Sequence, residues 1–345
     1  MALADILKAI EERLGVDSNE AQKILQKAEF GSEITETFTA EQWLNERFLP
    51  NCVMIDEDGY AKMCIDALKI LGTTAPTDYG SSRQRDLGQL WADMTRGYLG
   101  EYAFVLFLKK KCNIDAELGH EVGKLEEYLP MDIHKVKRAD GQAHTPRLNV
   151  AVKTTKWNGI WMDIPGDQFN HSDIHVLVKV GAGRDHLLAF FKKISVFKDK
   201  VLKRGEDMGS LTKEESGIIY DKLPVFKPIP AYICGFVRKT DKYSNLSYSG
   251  SKGRMHFKIH QWNGPINPGD LDTVKAKEGL LDKGKVQFEG IGEFSHDKGY
   301  LFNTGNLLWK EDDWKNGVAL ENHSYAVEVS LYAAVIGLHE VGNKS

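Results

Sequence analysis

The chain has 345 residues, 42% hydrophobic and 27% charged, with a formal net charge of −4. Such a chain can bury one large core or two moderate ones, which excludes an intrinsically disordered protein. The slight acidity excludes binding to nucleic acid through a whole-chain basic excess, but leaves room for a local basic groove. The longest uninterrupted apolar run, residues 102–108, falls far short of the roughly 20 residues a membrane-spanning helix needs, so no membrane partner is expected.

Charge appears early, at Asp5 and Lys8, so no signal peptide is expected and the cytoplasm is the expected location. Residues 1–75 read as a helical domain. Ile6, Leu7, Ile10 and Leu14 predict a helix over 4–14, and Ser18 is a candidate cap for 19–27. Thr39, followed three residues on by Gln42, resembles a capping box ahead of Trp43 and Leu44. Residues 61–71 close the series at Gly72, and Pro76, Gly80 and nearby serines mark 73–82 as a linker.

A second domain, 76–224, opens with helical periodicity over 83–111, broken near Gly97 and Gly100. Strands are then predicted at 131–136 and 148–154, flanking an Asp140-Gly141 turn signal, so the pair is expected to form a hairpin. Runs at 173–180 and 186–191 continue the strand series, and a short helix begins near Pro165-Gly166-Asp167. Helix, strands and helix in this order predict an α/β or α+β core. The third segment, 225–345, is strand-rich, with runs at 231–237, 255–260, 285–292 and 325–336. The aromatic segment 288–308, with Trp309 and Trp314, reads as core.

Cys52, Cys64, Cys112 and Cys234 form no CxxC pair, so reduced, buried thiols are expected. His256 and His260 have helical ligand spacing, but the alternation through Phe257, Lys258 and Ile259 reads as strand and removes the case for a metal there.

Three features occur in an informative order. Arg96-Gly97-Tyr98-Leu99-Gly100-Glu101 leads into a helix over 102–111 with Glu101 in its first turn. Met131-Asp132-Ile133 sets a carboxylate on a short apolar strand. Asn149-Val150-Ala151-Val152-Lys153 sets Lys153 on one strand face with Asn149 and Ala151. Carboxylates are the hard ligands Mg²⁺ needs to be held against a scissile phosphate, and a lysine beside them can steady phosphate charge or help deprotonate water.

This order, Arg-Gly-x-x-x-Glu, strand Asp, then an apolar strand ending Val-Lys, resembles the PD-(D/E)xK nuclease superfamily, which includes many restriction endonucleases and Holliday-junction resolvases. The resemblance covers roughly residues 83–195. It departs at Met131, where the family has proline, and at Ala151, where it has a second acid. The resemblance implies a restriction-endonuclease-like α/β fold, a mixed central sheet flanked by helices, with an N-terminal helical domain and a strand-rich C-terminal extension added. It implies a Mg²⁺-dependent DNA endonuclease in which Glu101, Asp132 and Asp167 hold the ion and Lys153 assists. Asp167 would replace the acid missing at Ala151, with Asp163 the alternative.

The added segments favour a restriction endonuclease acting on double-stranded DNA. The alternatives are a structure-selective or repair nuclease, resolvase-like, and a DNA-binding protein in which Ala151 marks lost catalysis. Lys156, beside Thr154 and Thr155, is a candidate phosphate contact, and a solvated strand end reads equally well. Arg238, Lys239, Tyr243, Tyr248, Lys252 and Arg254 interleave bases with aromatics as a DNA-contacting loop does, a pattern shared with surface loops. A double-strand break at a two-fold symmetric sequence implies a homodimer.

Overall fold

The computed structural model describes residues 1–71, 86–119, 132–138, 141–164, 166–239, 246–252, 255–261, 263–265 and 300–309. The expected linker at 73–82 and the expected strands at 285–292 and 325–336 lie outside these residues, as does Trp314.

The N-terminal helices follow from local signals. Helix α1 (Leu3–Leu14) buries Ile6, Ile10 and Leu14 along one stripe and stops at left-handed Gly15. Helix α2 (Ser18–Phe30) is capped by the Asp17 side chain, which accepts from Glu20 N, so the cap precedes Ser18 by one residue. Thr39 and Gln42 form a reciprocal capping box on α3 (Ala40–Gln42), which runs into a π-helical segment, Trp43–Phe48. A strand absent from the sequence reading follows, β1 (Cys52–Ile55). Asp56 then caps α4 (Glu57–Ile70), which starts a turn earlier than expected.

Helix α5 (Leu87–Cys112) is a single 26-residue helix. The expected break at Gly97 and Gly100 is therefore corrected, and Glu101 lies mid-helix rather than in a first turn. Strands β2 (Ile114–Leu118), β3 (Ile133–Arg138), β4 (Val150–Lys156) and β5 (Trp161–Ile164) come next, then α6 (Gly166–His171), β6 (Ile174–Val180) and α7 (Arg184–Lys193). Helix α7 replaces the strand expected at 186–191. Its Leu187, Phe190 and Phe191, which pack on the core, recur at helical spacing. Helices α8 (Lys203–Asp207) and α9 (Lys213–Lys222) lead to β7 (Ile229–Arg238), and β8 (Leu246–Lys252), β9 (Met255–Gln261), β10 (Asn263–Pro265) and β11 (Tyr300–Asn303) complete the described strands.

The central sheet is mixed, in the order β1-β7-β6-β4. Strands β4 and β6 are parallel, while β7 is antiparallel to both β6 and β1. Strand β6 is buried at every position, as a central strand covered on both faces must be. Its register with β7 shifts after Leu177, opposite Gly235. Gly235 has φ 137, and a Cβ there would overlap the Leu307–Leu308 backbone, so only glycine fits. Because β1 lies within 1–75 and β7 within 225–345, the sheet crosses both expected domain boundaries.

Helices cover both faces of the sheet. On one, Val150, Val152, Val176, Val178 and Ile233 pack against Phe104, Phe107 and Leu108 of α5 and Met63 of α4. On the other, Leu177, Tyr232 and Cys234 pack with Ile6, Ile10, Ile24, Trp43 and Phe48. A three-stranded sheet, β10-β11-β5, joins this second layer through Met162, Ile164, Tyr300 and Phe302. All four cysteines are free, and Cys112 alone is not fully buried.

The second layer also encloses charge. The fully buried Glu33 carboxylate accepts from Lys179 Nζ at 2.8 Å, Trp43 Nε1 at 3.1 Å and the Tyr232 hydroxyl at 2.8 Å. Arg47 donates to the Tyr232 hydroxyl and to the carbonyls of Cys234, Thr304 and Leu307. Burial alone would push the Glu33 carboxyl up, but Lys179 and Arg47 outweigh it and hold the group at about 2.

Candidate active site

The two glycines of α5 mark a close approach. A Cβ on Gly100 would overlap the Thr154 side chain of β4, and Thr154 Oγ1 donates to the Gly97 carbonyl at 3.1 Å. Gly97 and Gly100 therefore let α5 lie on β4, and Glu101 is carried to the sheet by that contact.

Asp132 immediately precedes β3 and occupies the outer edge of β4. Its main-chain N–H donates to the Val150 carbonyl at 3.0 Å, and its Oδ2 accepts from Val152 N–H at 2.5 Å. The expected hairpin is thus present only in part. Strand β3 pairs with β2, with a register shift between Glu117 and Leu118, and meets the chain leading into β4 at an isolated Val136–His144 bridge and at Asp132. Departure of β3 from β4 leaves the Asp132 carboxylate beside the backbone of Ala151 and Val152.

Glu101 and Asp132 belong to one acidic neighbourhood. Burial, followed by the charges of Glu101, Asp66 and Asp132, pushes the Tyr98 hydroxyl well above the usual phenol range. Asp66, a buried residue of α4 that accepts from Lys69 Nζ, was not singled out by the sequence.

Lys153 lies on the other face of β4, away from the Glu101 and Asp132 neighbourhood. Val150 and Val152 point into the α5 layer, so alternation turns Lys153 away from it. Its Nζ donates to Gln168 Oε1 of α6. Behind it, His175 of β6 is fully buried, stacks on Phe169 at 5.0 Å, and is opposite Ala151 in register. Burial, then the Lys153 charge, holds the His175 imidazole at about 3, so it is neutral at neutral pH. Its Nδ1 has no hydrogen-bond partner among the described residues.

Asp167 lies in the first turn of α6, next to Gln168; its side chain is outside the described atoms. Asp163 is exposed on β5, opposite Leu301 in the smaller sheet. Lys156 is exposed at the carboxyl end of β4, opposite Val180, whereas Arg238 ends β7 opposite Ile174. Lys239 follows Arg238, with its Nζ donating to the Asn170 carbonyl at 2.6 Å. The candidate DNA contacts therefore lie at opposite ends of the sheet, not in one patch. Lys252 is on β8 with its side chain outside the description, and Tyr243 and Arg254 lie outside the described residues.

Among the described residues no group of three or more His, Cys, Asp or Glu side chains is arranged to hold a metal ion. Mg²⁺ makes a smaller demand, one or two carboxylates completed by water and phosphate oxygens, and Glu101 and Asp132 are residues of that type. Tyr98, Asp66, Gln168 and His175 are the neighbours that sequence reasoning missed. Gln168 had one available signal, its place directly after Asp167. No helix among the described residues is long and apolar enough to cross a membrane. Compared with protein-family models, curated proteins and solved structures, the chain matches none.

Proposed function

We propose that the chain is a Mg²⁺-dependent DNA endonuclease of the PD-(D/E)xK type, acting as a restriction endonuclease on double-stranded DNA. The observation that carries this reading is the position of Asp132 on the edge of β4, held by Val152 N–H one residue before Lys153, with Glu101 sharing its acidic neighbourhood. Glu101 and Asp132, joined by Asp167 from α6, would hold the ion. When bound, the ion would polarise the scissile phosphate and acidify a water. Lys153, aimed by Gln168, would steady phosphate charge or take the proton of the attacking water. Lys156, Arg238, Lys239, Tyr243, Lys252 and Arg254 would bind DNA, and two copies of the chain would cut the two strands. Light scattering with a cognate duplex tests that dimer, and a monomer that linearises plasmid in one encounter would exclude it.

Plasmid nicking with Mg²⁺ tests the reaction. Asp132→Ala and Lys153→Ala are expected to lose cleavage while keeping most DNA affinity, because the groups removed act on the ion, water and phosphate rather than on overall attraction. Near wild-type nicking by Asp132→Ala would overturn the site. Asp167→Ala is expected to be as damaging, and Asp163→Ala mild.

One observation favours a second reading, a non-cleaving DNA-binding protein. Ala151 is buried where the family carries an acid. Duplex binding without any nicking across divalent cations would select it.

A further inference from the structure

The carboxyl ends of β4 and β6 border an open cleft of about 270 Å³. The chain leaves β4 through Lys156, Trp157 and Asn158, and leaves β6 through Gly181, Ala182 and Gly183, while Lys23 of α2 closes one side. Crevices beyond the carboxyl ends of parallel strands arise because successive connections depart in different directions, which exposes loop backbone and keeps apolar walls.

The lining is chemically mixed in an informative way. Two exposed cations, Lys23 and Lys156, come from different elements and so approach one volume from two sides. Gly183, the N-cap of α7, is at the rim with its N–H donated to His186 Nδ1 at 3.0 Å, and the helix dipole adds positive potential there. Trp157 contributes an aromatic wall backed by Phe48 at 6.1 Å, and its indole N–H is buried with no acceptor among the described residues. The acidic wall residue, Glu20, has its carboxyl pushed up by burial and then by Asp17, with Lys23 opposing. An anion joined to a flat ring matches this lining. A volume of 270 Å³ admits one such unit and not a duplex.

We infer that the cleft receives a single nucleotide unit, its phosphate at Lys23 and Lys156 and its base against Trp157. The assignment to a nucleotide of a DNA strand rests on the nuclease reading. Lys156 is three residues beyond Lys153 on β4, about 10 Å along an extended strand. Alternation turns these two side chains to opposite faces, so a strand that engages both must pass around the carboxyl end of β4, with the nucleotide at the cleft unstacked from its neighbour.

The test uses the full chain with thymidine monophosphate and with a labelled single-stranded oligothymidylate. Lys23→Ala and Asn158→Trp are the variants, because both positions are exposed and the second fills the cleft. Each is expected to weaken oligothymidylate binding about tenfold, and Lys23→Ala to lower the slope of log affinity against log salt by about 0.7. Affinities within about twofold of wild type in both variants would overturn the cleft, as would a wild-type chain that binds neither probe. Equal affinity for the two probes assigns the site to free nucleotide, and affinity for the oligothymidylate alone assigns it to a nucleotide within a strand. Plasmid nicking is read separately. Cleft-dependent binding by a chain that never nicks would keep the cleft and remove the nuclease reading.

Discussion

Two charged groups of residues are built on the same sheet and treated in opposite ways. Around Glu33 the charges are sealed, and the carboxylate accepts from a cation, a buried hydroxyl and an indole N–H. At the edge of β4, Asp132 is anchored by a backbone amide, and half-buried Lys153 is held by the neutral amide of Gln168. Charges matched to each other deep in the protein fix a geometry. A lysine aimed by a neutral partner keeps its charge available for an incoming anion.

Breaking the sealed group should have the largest effect. Glu33→Ala leaves Lys179 and Arg47 buried without their anion, so a loss of about 3–5 kcal/mol is expected in urea unfolding. The same contrast can be sharpened with acid. The folded-state value of Glu33, about 2, lies below its ordinary 4.5, so the unfolded chain takes up the proton first. Its stabilisation is complete above about 4.5 and lost as pH falls toward about 2. His175 behaves with the same sign over a higher window. Kept neutral down to about 3 against an ordinary 6.5, it disfavours the fold increasingly as pH drops below 6.5. Stability measured against pH should therefore slope less steeply between 6.5 and about 3 in His175→Asn, and less steeply between 4.5 and about 2 in Glu33→Gln.

Gly100→Ala should cost about 1–3 kcal/mol by overpacking against Thr154. Because it pushes α5 away from β4, nicking should fall even where the variant is fully folded, which thermal unfolding beside the nicking assay can establish. Gln168→Leu is the smallest change proposed. Losing one neutral hydrogen bond, worth about 0.5–1.5 kcal/mol, should slow nicking several-fold without altering stability by more than that. An unchanged rate would show that Lys153 needs no aiming.

Much of this organisation was legible where the causes are local. Alternation in β4, the β-branched run of β6, the stripe of α1 and the Thr39–Gln42 box all write themselves into neighbouring residues. The candidate residues Glu101, Asp132 and Lys153 were read in chain order, and they fall on α5, just before β3 and on β4. What escaped was set by distant partners. Gly97 and Gly100 read as a break because the strand they accommodate is far along the chain. The run at 186–191 is too short for its period to decide, and packing on Tyr60, whose ring lies 6.0 Å from that of Phe190, belongs to another segment. Asp66 and Tyr98 gain meaning only from the acids near them. Glu33 and Lys179 are 146 residues apart, and neither is unusual until they meet.

The pairing of β1 with β7 governs the order in which the protein can be made. Arg47 and Tyr232, which tie the segment before β1 to β7, are separated by 185 residues. On the ribosome, β1 emerges early and has no partner until β7 follows, and β6 waits with one edge open for the same strand. Contacts of such long separation form late, and the intermediates that precede them expose strand edges prone to association. A polypeptide cut down to 76–224 would be halted at that stage permanently, with β6 unpaired on one side. The candidate site residues therefore share their sheet with distant segments, and the whole span from β1 to β7 must be synthesised before the sheet closes.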